Sequence, residues 1–188
     1  MKKSITLFLA LTLLLGCAAC AAKPYAPEGA LTGNDELDAA VLSLLQERCA
    51  ANASEEERLA AAYDFVCNDI TYRAGTVDTS GGFTDELTHE LALTLLQKRK
   101  GNCDAQAALM AVLLRRMGYA AQIVQGTFAR EAGGEPVEHA WVRAEIGGTS
   151  CWFDPLYGSH YAENPRDYLM ADDALLAQTH QWDASALD

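Results

Sequence analysis

Residues 101–117 read GNCDAQAALMAVLLRRM, and the reading of the whole chain turns on them. Ala105, Leu109, Val112, Leu113 and Arg116 recur at the spacing of one helical face, Arg115 and Arg116 fall in the last turn, and Gly118 stands just past the end. Asn102 is a good N-cap, so Cys103 falls in the first turn. There, unpaired backbone N–H groups and the positive end of the helix dipole favour thiolate over thiol. A nucleophilic cysteine needs that bias. The competing reading is a buried packing residue, the usual state of a cysteine inside an apolar helix, and the position beside the cap weakens it.

Downstream, residues 137–146 (VEHAWVRAEI) alternate, with Ala140, Val142, Ala144 and Ile146 on one face and His139, Trp141 and Arg143 on the other. Gly147-Gly148 is a two-residue hairpin signal, and a second run follows over 149–155. Pairing Ile146 with Thr149 sets Ala144 against Cys151, Val142 against Phe153 and Trp141 against Asp154. His139 and Asp154 then share a face on a diagonal of about 7–8 Å between backbones, which two side chains can close into a hydrogen bond. A one-residue slip would send Asp154 to the far face. Trp141 either walls a cleft or packs; Asp154, ahead of Pro155, also suits the start of a turn.

Residues 101–126, followed by His139-Ala140-Trp141-Val142 and by Trp152-Phe153-Asp154-Pro155, resemble the transglutaminase-like superfamily, whose core is papain-like. The helix and short extended segment expected over 54–72 (SEEERLAAAYDFVCNDITY) are similar to those preceding the core in bacterial members, so the likeness covers about residues 34–157. The three motifs stand in the family's order, 36 and 15 residues apart. The resemblance implies Cys103 as nucleophile, His139 as general base and acid, and Asp154 as the residue that fixes the imidazole. It leaves the second oxyanion donor unplaced.

Those roles imply attack of the Cys103 thiolate on an amide or thioester carbonyl of a peptide or protein, with the Cys103 N–H holding part of the oxyanion and His139 protonating the departing amine. Release of the acyl group by water makes a protease or amidase, the favoured branch for a bacterial member; release by an amine makes a true protein-glutamine transglutaminase. Two other classes stay open, a non-catalytic surface module that binds peptide or glycan, and a zinc site, against which stands the lack of any close-spaced Cys/His pair. Neither metal nor cofactor is expected.

Lys2 and Lys3 precede an apolar run from Ile5 to Leu15 that is too short to span a bilayer comfortably and ends in Leu14-Leu15-Gly16-Cys17. This resembles a bacterial lipobox, with residues 1–16 as signal peptide and a lipid on Cys17; Cys20 is a poorer rival, and plain secretion the alternative. The resemblance implies an exported lipoprotein of the bacterial cell envelope. Residues 17–34, with Pro24, Pro27, Gly29 and Gly33, read as a tether, and residues 35–188 as one transglutaminase-like domain with its own core. Loss of residues 1–16 removes two lysines and takes the net charge from −12 to −14, which argues against nucleic acid as partner.

Leu37, Val41, Leu44 and Leu45 mark one helix, and Leu59, Ala62, Tyr63, Val66 and Cys67 stripe a second, begun by a Ser54/Glu57 capping box. In that helical hairpin Cys49 and Cys67 lie about 18 Å apart along the axis, beyond disulfide reach, so Cys67 reads as core. A loop over 73–83, a helix over 85–98 and a strand over 119–128 complete an α+β domain in which the nucleophile helix packs on an antiparallel sheet. The Gly/Ser-rich loop reads as a plain connection rather than a cleft wall. Beyond Tyr157 turns and a short helix are expected, and neither His160 nor His180 sits in a motif.

Overall fold

The computed structural model describes residues 24–131 and 133–187; the expected signal peptide and Cys17 lie outside them. Asn34 opens α1 (Asp35–Arg48) by accepting from the N–H groups of Glu36 and Leu37, and the expected Leu37, Val41, Leu44 and Leu45 are its buried face. α2 (Glu55–Asp69) begins with the Ser54/Glu57 capping box. Two short strands, β1 (Thr71–Tyr72) and β2 (Lys100–Gly101), pair in parallel around α3 (Asp85–Lys98). Register puts Tyr72 across from Gly101, two residues ahead of the cysteine that starts α4 (Cys103–Arg116).

All ten residues from Ala105 to Leu114 of α4 are buried, more than the single stripe read from the sequence. The reason is a second set of neighbours. The helix packs on β3 (Ala120–Phe128) and β4 (Val137–Ile146), and is also covered by α2 and α3. A helix apolar all round belongs at the centre of a fold. β5 (Thr149–Phe153) follows the expected hairpin, with Ile146 facing Thr149, Ala144 facing Cys151 and Val142 facing Phe153. Gly147 and Gly148 have φ of 58° and 81°, the positive pair that a two-residue turn of this twist demands.

The pairing ends one residue sooner than expected. β5 stops at Phe153, so Asp154 does not face Trp141 in the ladder and instead caps α5 (Pro155–His160). The C-terminal segment also departs from a run of turns: it adds β6 (Leu169–Ala171), α6 (Asp173–Leu176) and β7 (His180–Trp182). The five-stranded antiparallel sheet runs β6-β5-β4-β3-β7, so this segment supplies both edges. Its Trp182 packs on Trp141 and Trp152, covering the face that carries His139. Trp141 therefore packs, at 0 % exposure, and Gly126 makes room for it, since a Cβ there would sit 2.7 Å from the indole and 2.1 Å from the Gln181 carbonyl oxygen.

Residues 24–33, read as the later part of a tether, lie docked on the domain. Tyr25 is buried under Arg58, Gln46 donates to its carbonyl, and Arg116 holds the carbonyls of Pro27 and Gly29. Among the described residues no helix is long and apolar enough to cross a membrane.

Candidate active site

Cys103 is the first residue of α4, and the Asn102 side chain accepts from the Ala105 N–H at 3.2 Å, as the sequence led one to expect. It is partly exposed, whereas Cys49, Cys67 and Cys151 are buried and all four thiols are free. Burial pushes the Cys67 thiol up to about 12 and the Cys151 thiol up to about 11. Both are thereby poor nucleophiles near neutral pH.

His139 lies within the sheet, its ring 4.8 Å from Phe128 and stacked at 5.7 Å on Trp141. Its Nε2 meets Asp154 Oδ2 at 2.6 Å, with both side chains 1 % exposed. Nδ1 has no oxygen or nitrogen partner, and Cys103 is the group that acts on the ring from the cleft side. A proton on Nε2 is directed to the carboxylate, so Nδ1 is the nitrogen left for Cys103. Burial works against a charged His139, but the charge and hydrogen bond of Asp154, with Cys103 beside the ring, outweigh it and raise its pKa above the ordinary imidazole range. Burial likewise opposes the Asp154 carboxylate, yet His139 and His180 hold it well below the usual carboxylate range.

Asp154 is fixed from several directions. Oδ1 accepts from the Tyr157 N–H at 2.8 Å, its backbone N–H reaches the Tyr168 carbonyl, and its own carbonyl accepts from the Tyr63 hydroxyl at 3.1 Å. The two sequence readings of Asp154 are thus both met, a partner of the imidazole and the start of a turn. What sequence reasoning missed is His180, whose Nε2 meets the same Oδ2 at 2.9 Å. Ligand atoms of His139, Asp154 and His180 lie within 4.8 Å of one another, but both nitrogens point at one oxygen rather than at a common vacant point. They form a hydrogen-bonded unit.

Cys103, His139, Tyr72 and Glu138 line two arms of one cleft. The polar arm, about 550 Å³, is walled by Gly75, Thr76 and Thr79 with Asp104. The Gly/Ser-rich loop is therefore a cleft wall, contrary to the reading of it as a plain connection, because Asn102 donates to the Gly75 carbonyl and Gln125 to the Thr79 hydroxyl. The other arm, about 160 Å³, is built from Phe128, Val137, Leu156 and Tyr161. A wider groove of about 900 Å³ runs past Ser54 and Met170 and holds neither thiol nor imidazole.

Residues 43–155, more than half of the chain, match the family described as the transglutaminase-like superfamily. The chain belongs to that superfamily. Cys103, His139 and the whole Trp152–Pro155 motif fall within the matched span of this transglutaminase-like protein. No curated protein matches it. Among solved structures, a candidate cysteine protease from Cytophaga hutchinsonii is similar at 20 % identity and a TM-score of 0.48, over 80 % of this chain and 43 % of that one. A TGase is similar at 19 % identity and 0.46, over 69 % and 32 %, and the periplasmic domain of TgpA from Pseudomonas aeruginosa at 23 % and 0.45, over 66 % and 45 %. The transglutaminase-like chain thus spans less than half the length of each of these structures.

Proposed function

We propose that this protein is a thiol-dependent acyl-transfer enzyme that hydrolyses peptide or amide bonds through Cys103, His139 and Asp154. The observation that carries the reading is a buried, carboxylate-bound imidazole whose other nitrogen, Nδ1, is left to a cysteine at a helix start, with Cys103 and His139 opening on one cleft. In the reaction Cys103 sulfur bonds to the substrate carbonyl carbon, and the oxygen takes the charge near the Cys103 N–H. Tyr72, across from Gly101 and lining both arms, is the candidate second donor. The proton taken by His139 Nδ1 goes to the departing amine, leaving an acyl-enzyme. Water, deprotonated by the same nitrogen, then frees the acid and restores the thiol.

Transfer to an amine is the second reading, favoured by Asp104 and Glu138 in the polar arm, whose carboxylates suit a cationic acceptor. The resemblance of Leu14-Leu15-Gly16-Cys17 to a lipobox supports export to the bacterial envelope with a lipid on Cys17. The test is a peptide library incubated with the protein and read by mass, with and without a primary amine. Cleavage products that need Cys103 support hydrolysis; amine adducts that need Cys103 support transfer. Equal product with Cys103→Ala contradicts both, and no product from the wild type leaves a binding module.

A further inference from the structure

His180 stands outside the Cys103, His139 and Asp154 set, yet its side chain is 0 % exposed and shares the Asp154 oxygen with His139. Its Nδ1 meets Thr179 Oγ1 at 2.9 Å, and that hydroxyl meets the Tyr168 hydroxyl at 3.3 Å. One order of donors satisfies every group. Tyr168 O–H donates to Thr179, Thr179 O–H donates to His180 Nδ1, and His180 Nε2–H donates to Asp154 Oδ2. His139 Nε2–H donates to the same oxygen and Tyr157 N–H to Oδ1. Only an ionised carboxylate accepts all three bonds on Asp154.

We propose that His180 is a positioning residue of this site, the fourth member of a Cys103, His139, Asp154 and His180 set, which locks the carboxylate and moderates its hold on the His139 proton. The inference rests on the reading of Cys103 as nucleophile. Its physical basis is the sharing of one oxygen. With His139 as sole partner, Oδ2 would spend its whole lone-pair charge on that ring, across a buried 2.6 Å bond. A second N–H draws part of the charge away. His139 must both take the thiol proton and surrender it to the leaving group, and such a group works best when neither state is held too firmly. The three donors also prevent the carboxylate from turning about its own axis, so the imidazole keeps Nδ1 toward the cleft.

The groups that surround the pair are accounted for. Tyr63 and Cys67 from α2, and Tyr168, act on Asp154; burial raises all three, so they stay neutral over the range that matters. Cys103 and Asp104 from α4 act on His139, and Glu138 beside it acts on Asp104. Phe128, Tyr157 and Trp141 pack their rings on His180.

The test compares the full-length protein with His180→Leu, which removes the donor, and His180→Gln, which keeps an N–H. Iodoacetamide alkylation of Cys103 is followed against pH, together with turnover. Leu is expected to lower turnover about tenfold and to move the high-pH transition of the alkylation profile upward by about half a pH unit, since the unshared carboxylate holds the imidazolium longer. Gln is expected to return that transition toward its wild-type position. A transition unmoved by Leu, or no return with Gln, overturns the proposal and leaves His180 a packing residue. Should Leu fail to fold, ¹⁵N-histidine spectra of the wild type decide: a proton on His180 Nε2, with ring shifts that follow the titration of His139, supports the proposal, and a proton on Nδ1 alone overturns it. If wild-type Cys103 reacts no faster than Cys151, the nucleophile reading itself falls, an outcome distinct from any His180 result.

Discussion

Asp154→Asn is expected to lower turnover by about four orders of magnitude while the protein stays folded, as loss of the carboxylate does in other nucleophile–histidine–acid sites. An asparagine of the same shape presents N–H groups where Oδ2 now accepts from His139 and His180. To meet them, the His139 ring must offer a lone pair on Nε2 and carry its proton on Nδ1, the nitrogen otherwise left to Cys103. It then cannot accept the thiol proton. The same change removes the main cause that raises His139, so the imidazolium is lost at lower pH. Turnover against a Cys103-dependent substrate, with circular dichroism as the folding control, checks this; a loss of less than about tenfold would mean that Asp154 serves the helix cap alone.

Asp154→Ala goes further, because it strands the Nε2 atoms of two buried imidazoles and the N–H of Tyr157. Breaking a buried pair in this way costs about 3–5 kcal/mol. The sign of its pH dependence follows from both partners. The lowered Asp154 contributes stability above the ordinary carboxylate pKa that is lost as pH falls through its folded value. The raised His139 contributes stability below the ordinary imidazole pKa that is lost as pH rises through its folded value. The gap between wild type and Asp154→Ala in urea unfolding is therefore expected to be widest from mildly acidic to neutral pH and to narrow at both extremes.

Which parts of this arrangement could be read from residues alone follows from how local their causes are. The hairpin carries its own register, since Gly147 and Gly148 take positive φ and alternation does the rest, and the α4 start is written in Asn102. His180 has no such local cause. It reaches Asp154 because β7, three residues long, pairs with β3 so that Phe128 faces His180, a contact between segments 52 residues apart. A strand of that length shows no usable alternation. The 73–83 loop escaped for the same reason: its anchors, Asn102 and Gln125, lie 27 and 46 residues away from Gly75 and Thr79. Asp154 was placed on the correct face by a ladder that ends one residue before it, and its final position is set by α5 and Tyr63 instead.

The central claim, that His139 activates Cys103, is tested most directly by competitive iodoacetamide labelling of the folded protein near neutral pH, with each cysteine mapped by mass. Cys103 is expected to label well before Cys49, Cys67 and Cys151, and His139→Gln is expected to remove most of that lead. Equal labelling of Cys103 and Cys151 in the folded wild type, or a lead that survives the loss of His139, would contradict it.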